Sequence, residues 1–148
     1  MTIRPYRSTD RAGILEMLRL NTPQYFHPSE EEDLVAYLRD EAENYFVVEE
    51  DGQVLGCGGF NHFRTDALVR IAWDIVHPHH HGKGIGKQLT QFRLEQIKKD
   101  PSVRRIVVRT SQLVFPFYEK MGFQLEKVDK DFWAEGFDLY QMEMRVGD

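Results

Sequence analysis

The chain has 148 residues, 41% hydrophobic and 29% charged, with a formal net charge of −5; that suits one domain with its own core. The acidic balance argues against nucleic acid or an anionic membrane as partner, because either calls for a basic patch. No apolar run approaches the roughly 20 residues of a membrane span, the start MTIRPYRSTD lacks a signal peptide's apolar stretch, and the single cysteine, Cys57, excludes an internal disulfide and fits a reducing cytoplasm.

TIRPY reads as a short strand, and Asp10 leads into a helical pattern through Ile14, Leu15 and Leu18. Ser29 and Glu32 stand at capping-box spacing, which predicts a second helix over SEEEDLVAYLRD. NYFVVEE and VLGCGGF flank Asp51-Gly52, the dipeptide of a tight hairpin. LVRIAWDIV alternates, with Val69, Ile71, Trp73 and Ile75 on one face and Leu68, Arg70, Ala72, Asp74 and Val76 on the other. A glycine-rich stretch follows, then a helix to about Lys99 that stops before Pro101. On that helix Ile85, Leu89 and Phe92 share a stripe, Leu94 lies opposite and Ile97 to the side. A helix apolar on more than one side invites a second covering surface, so a homodimer is one expectation.

RRIVVRT is a buried-type strand, and LVFPFYEKM a short helix closed by Gly122 in the left-handed cap position. FQLEKV and DLYQMEMRV are the last strands. No repeat or linker interrupts the series, so residues 1–148 read as a single domain. The order predicts a mixed α/β (α+β) fold: a mostly antiparallel central sheet of about seven strands flanked by about four helices.

The stretch VHPHHHGKGIGKQL places Gly82, Gly84 and Gly86 at alternating positions where a helix begins. Each glycine inside a helix costs about 1 kcal/mol relative to alanine, so helix stability does not explain them. A helix start carries roughly half a positive charge and several unpaired N–H groups, and glycine lets an anion approach the backbone. Lys83 and Lys87 add cationic charge. The stretch is neither a P-loop, which needs glycine at His81 and Ser or Thr at Gln88, nor a Rossmann fingerprint, which needs glycine at Lys87. It reads as a phosphate cradle. The four histidines at 77, 79, 80 and 81 are too close in sequence to converge on one ion and have no carboxylate or cysteine at ligand spacing, so no metal is expected.

VHPHHHGKGIGKQL is similar to the coenzyme A signature of the GNAT superfamily of N-acetyltransferases, Gln/Arg-x-x-Gly-x-Gly/Ala after a V-x-P strand end. FYEKMGF, Phe117 to Phe123, resembles that family's second signature, and the element order along essentially the whole chain resembles its fold. The resemblance implies acetyl-CoA as co-substrate and direct acetyl transfer to a primary amine of a small-molecule or peptide acceptor. It places the coenzyme along Ile75, Val76, His81, Gly82, Lys83, Gly84, Ile85, Gly86 and Lys87. His81 stands where the family has Gln or Arg. Its ring N–H can meet a pyrophosphate oxygen without arginine's permanent charge or reach, so weaker or pH-dependent coenzyme binding is expected. Ser111, where many relatives carry Asn, either bonds the pantetheine arm or caps the helix that follows.

The resemblance also implies an oxyanion donor in the backbone N–H of Ile75 or Val76, where the fourth strand bulges and splays from the fifth. It implies that Tyr118 meets the leaving thiolate. Full proton transfer from a tyrosine to a thiolate is uphill by about 2 kcal/mol on reference values, so hydrogen bonding to the sulfur is the expected role. Asp74, in an apolar strand, is the candidate base, direct or through water; the alternative is an ion pair with Arg70 or Arg109. Glu49 and His62 are weaker base candidates. Cys57 reads as a small buried residue, since the resemblance implies no covalent intermediate. In this fold the last strands and their loop often border the acceptor pocket, so Trp133, Glu135 and Asp138 either favour a cationic acceptor or serve as packing and surface charge. Two readings compete with the enzyme: a coenzyme A-binding sensor without chemistry, against which FYEKMGF weighs, and a nucleotide binder using the glycine loop for another phosphate.

Overall fold

A computed structural model of the chain describes residues 1–147. The elements are β1 (Thr2–Pro5), α1 (Arg11–Leu20), α2 (Glu31–Asp40), β2 (Tyr45–Glu50), β3 (Gln53–Phe63), β4 (Leu68–Val76), α3 (Ile85–Lys98), β5 (Arg105–Thr110), α4 (Phe115–Lys120), β6 (Gln124–Ala134) and β7 (Phe137–Arg145). The seven strands form one sheet in the order β1-β2-β3-β4-β5-β7-β6. β4 and β5 run parallel, while β1–β2, β2–β3, β5–β7 and β6–β7 are antiparallel. The mixed, mostly antiparallel sheet with four helices is the fold that the sequence predicts. Among the described residues no helix is long and apolar enough to cross a membrane.

The chain divides into two compact units, Met1–Asn61 with Trp73–Arg93, and His62–Ala72 with Leu94–Asp148. In the first, Asp51 and Gly52 both take positive φ, 52° and 78°, as a type I′ hairpin between β2 and β3 requires. Ile14, Met17 and Leu18 of α1 and Leu34 and Leu38 of α2 are buried, as are Val47, Val48, Leu55, Ile75, Ile85 and Leu89. The capping box lies two residues earlier than the Ser29–Glu32 spacing predicts, on a 3₁₀ turn that runs into α2. Glu30 Oε2 accepts the His27 N–H at 2.8 Å and His27 Nδ1 accepts the Ser29 N–H at 3.1 Å, closing a 3₁₀ turn ahead of the helix. Two boxes compete within six residues, and the one anchored by Pro28 at its first position wins.

In the second unit β4 pairs with β5 only over Leu68–Ile71, opposite Arg105–Val108. β5 continues to Thr110 against β7. Val69, Ile71, Leu94, Ile97, Ile106, Val108, Phe123, Leu139 and Met142 form its buried set. Gly122 follows α4 at φ 104°, the left-handed position expected of it. β6 runs six residues beyond the FQLEKV segment, to Ala134. Leu94 is 8% exposed and Ile97 1% exposed within the single chain, so the two-sided apolar pattern of α3 gives no reason for a second subunit.

Arg4 ties β1 to its neighbours in the first unit. Its two terminal nitrogens each donate to Asp10 at 2.8 Å, and Nε donates to Glu49 at 2.8 Å. The hydrogen bond from Arg4 holds the Asp10 carboxyl below the usual carboxylate range, against the opposing effect of burial. A carboxyl lowered in the folded state stabilises the protein above the unfolded value of about 4, and that stability drains as pH falls through the folded value. Asp10→Asn should therefore lower stability at pH 7 and flatten its acid limb in urea melts recorded from pH 7 to 3; an acid limb identical to wild type contradicts this role.

Candidate active site

The end of β4 departs from a regular strand. Trp73 takes φ 51°, a left-handed conformation unusual for a bulky residue and costing about 1–3 kcal/mol. The Tyr45 hydroxyl holds it by donating to the Trp73 carbonyl at 2.7 Å, and the indole stacks on Phe26 at 6.2 Å between centroids. The Ile75 N–H bonds to the Cys57 sulfur, and the His77 N–H donates to Leu55 O at 2.8 Å, both on β3. Strand parity turns the intervening Val76 N–H away from β3. The Val76 carbonyl accepts from Asn21 Nδ2 at 3.0 Å and His81 Nε2 at 2.9 Å. His81 Nε2 thereby ties the loop to the strand end, and its ring meets Tyr25 edge-on at 5.6 Å. Sequence reasoning missed Asn21, whose only signal is a polar residue after the last turn of α1.

Between Val76 and Ile85 the chain makes a 3₁₀ turn, Pro78–His80, and then the glycine loop. Gly82 and Gly84 take φ 79° and 81°, with nothing within 4 Å of where a Cβ would stand. A side chain there would meet backbone strain rather than a neighbour, which is the signature of a loop shaped to present its amides. Gly86 already lies in the first turn of α3, where the Thr90 hydroxyl donates to its carbonyl at 2.8 Å. The first-turn amides of α3 have no intrahelical acceptors, and Lys83 and Lys87 are exposed beside them. The rings of His79 and His80 lie 5.1 and 5.3 Å from that of His77, whose pKa is lowered by burial and then by these neighbours. Among the described residues no group of three His, Cys, Asp or Glu side chains is placed to hold a metal.

Asp74, the candidate base, is bound to Arg93 of α3. Arg93 is 0% exposed, and each of its five N–H groups has an acceptor. Nη1 donates to Asp74 Oδ1 and to Gly59 O at 3.0 Å, and Nη2 to Asp74 Oδ2 at 2.8 Å and Thr90 Oγ1 at 3.3 Å. Nε reaches Leu89 O at 3.3 Å. Gly58 makes the room: a Cβ there would fall on Asp74 Oδ1 and 2.8 Å from Arg93 Nη1. The sequence offered Arg70 and Arg109 for this pair and missed Arg93, a cation inside a helix's buried stripe. Glu49, a weaker base candidate, is paired with Arg4. Cys57 is buried, and burial pushes its thiol up to about 12, far from a nucleophilic thiolate.

In the second unit, the Tyr118 ring is buried in α4, edge-on to Phe117 at 5.0 Å and Phe123 at 5.8 Å. Ser111 shapes the turn before that helix: Oγ accepts the Leu113 N–H at 3.2 Å, and its carbonyl accepts those of Val114 and Phe115. Trp133 Nε1 donates to Thr110 O at 3.1 Å, and Asp138 Oδ1 accepts the Asp131 N–H at 2.9 Å, while Glu135 is exposed. The Arg109 guanidinium lies 5.7 Å from the Trp133 ring centroid.

Residues 14–146 match the family model described as an acetyltransferase (GNAT) domain. The chain is 28% identical over 141 residues to an amino-acid acetyltransferase of Aeromonas salmonicida, covering 92% of this chain and 29% of that protein. It is 28% identical over 157 residues to an N-alpha-acetyltransferase of Sulfurisphaera tokodaii, covering 95% and 90%. The fold is similar to that of a phosphinothricin acetyltransferase from Sinorhizobium meliloti in complex with acetyl-CoA, with a TM-score of 0.79, 21% identity, and coverage of 99% and 88%. The chain spans less than a third of the length of the amino-acid acetyltransferases it matches.

Removing one member of a buried, fully bonded ion pair costs about 3–5 kcal/mol, because the other charge is left without compensation. Arg93→Met should lose stability on that scale in urea melts, and Arg93→Met with Asp74→Leu should regain part of it. A single variant as stable as wild type would contradict the pairing.

Proposed function

The chain belongs to the GNAT acetyltransferase family, and on that premise we propose that it moves an acetyl group from acetyl-CoA to the α-amine of an acceptor. The observation that carries the coenzyme site is the glycine loop. Gly82 and Gly84 sit in left-handed conformations between a strand end and a helix start, with two exposed lysines beside them. Main-chain amides and a helix N-terminus together suit a diphosphate. A fold neighbour binds acetyl-CoA, which supports the same co-substrate here. The relatives' names, amino-acid acetyltransferase and N-alpha-acetyltransferase, support an α-amine acceptor.

In the reaction the unprotonated amine attacks the thioester carbonyl carbon. The C–N bond forms, the carbonyl oxygen becomes an oxyanion, and the C–S bond then breaks to release the thiolate. The Val76 N–H is the oxyanion donor in this assignment, because the Ile75 N–H is already given to Cys57. His81 and Asn21 hold the Val76 carbonyl, in the peptide that follows this N–H. Asp74 becomes a positioning residue rather than the base. Both its oxygens face a permanently charged guanidinium, and the pair anchors the strand two residues before Val76. The amine's proton leaves to water. Tyr118 is assigned to hydrogen-bond the leaving sulfur. Ser111 is assigned to shape the turn before α4.

A thiol-release screen with acetyl-CoA across free amino acids, peptides with free N-termini, polyamines and lysine side-chain analogues tests this reading. Enzyme-dependent thiol release with α-amines is expected, and none with any amine would overturn it. Within that assay Tyr118→Phe should lower kcat by about tenfold or more while leaving the acetyl-CoA KM near wild type. An unchanged kcat removes Tyr118 from the mechanism.

A further inference from the structure

Arg109 is the first residue of β5 beyond the last β4 pairing, Ile71 with Val108. Its guanidinium carbon lies 4.8 Å from the ring centroid of Phe132 and 5.7 Å from that of Trp133. Its Nε is buried and meets no hydrogen-bond acceptor among the described residues. Four carboxylates of β6 and β7 are committed elsewhere. Asp131 Oδ1 accepts the Gly136 N–H at 2.8 Å, and Asp138 Oδ1 accepts the Asp131 N–H at 2.9 Å. Glu126 bonds Arg105 and Gln141, and Glu143 bonds Arg105 and Arg145. Gln141, the residue opposite Arg109 in the β7 register, is thus turned to Glu126. In a chain with 24 acidic and 19 basic residues, an arginine with aromatic faces and no carboxylate partner among the described residues is a cation held ready for something outside the protein.

The support is preorganised. Trp133 is fixed by its bond to Thr110 O, and the hairpin beyond it by Gln112, which donates to Gly136 O at 2.7 Å and accepts the Asp138 N–H at 3.0 Å. Stacking holds the guanidinium plane without consuming its N–H groups. A planar fork of free donors matches a carboxylate in two parallel hydrogen bonds. We propose that Arg109, backed by Phe132 and Trp133, binds the carboxylate of the acceptor, so that the preferred acceptor is a free amino acid. This inference rests on the acetyltransferase reading. A coenzyme phosphate shares the chemistry of a carboxylate; the commitment to the acceptor follows from the separate cationic loop at Gly82–Lys87 that already suits the diphosphate.

The test compares glycine, L-alanine and L-phenylalanine with their carboxamides in the thiol-release assay, for wild type, Arg109→Gln and Arg109→Lys, each first checked for folding by thermal unfolding. Wild type should favour the acids in kcat/KM by about tenfold or more. Arg109→Gln should lose that preference with little change in the acetyl-CoA KM, and Arg109→Lys should keep part of it. The same acid-to-amide ratio in wild type and Arg109→Gln overturns the proposal. So does a raised acetyl-CoA KM at unchanged ratio, which assigns the guanidinium to a coenzyme phosphate. If no amine supports thiol release, the catalytic reading fails separately, and calorimetry of the same pairs with coenzyme A present decides this one. Binding of the acids to wild type but not to Arg109→Gln supports it, and absence of such binding overturns it.

Discussion

A buried guanidinium with every donor occupied joins α3 to β4, and the first unit is organised around that junction. Arg93 takes two oxygens from Asp74, one carbonyl from β3 and two acceptors from its own helix. A buried ion pair adds little net stability over a well-packed apolar replacement, because both charges must be dehydrated. Its value here is positional. Asp74 stands two residues before the end of β4, and Arg93 stands on the helix that begins at Ile85. The loop from His77 to Gly84 is therefore suspended between two elements locked to each other, and its amides have a rigid frame. Glycine at position 58 is part of the same constraint, since any side chain there would occupy the carboxylate's place.

The features legible in the sequence were those written in local chemistry. Asp51-Gly52 demanded a turn with positive φ, Gly122 demanded a left-handed cap, and alternating glycines before an apolar stripe demanded a special helix start. Each depends on residues within a few positions. The features that escaped depend on pairings across the chain. Arg93 and Asp74 are 19 residues apart, and nothing in either segment marks them as partners. The burial of Leu94 and Ile97 within the single chain is likewise a matter of tertiary packing that the helical pattern alone does not show. The turn before α2 shows a smaller version of the problem, two overlapping cap motifs of which proline chose one. The signature gives His81 a position but not a partner, and the bond of its Nε2 to the Val76 carbonyl is visible only in the structure.

An acidic net charge does not conflict with the anionic co-substrate proposed for the glycine loop. Net charge governs long-range attraction, whereas recognition is set by local donors in a defined geometry. The loop concentrates backbone amides and two lysines at one place. In the other unit the arginines of β5 divide by their partners: Arg105 is neutralised by Glu126 and Glu143, while Arg109 is stacked on aromatic rings. Charge that the fold spends on itself and charge that it holds for a ligand are distinguishable by their counter-ions.

The central claim is that main-chain amides around residues 82–87 bind the diphosphate of acetyl-CoA. Titration calorimetry of acetyl-CoA into folded wild-type protein and into Gly84→Val, which forces a branched side chain into a left-handed backbone position, tests it most directly. The account predicts saturable one-to-one binding to wild type and a loss of about tenfold or more in affinity for the variant at unchanged folding. Absence of any heat of binding to folded wild-type protein would contradict it.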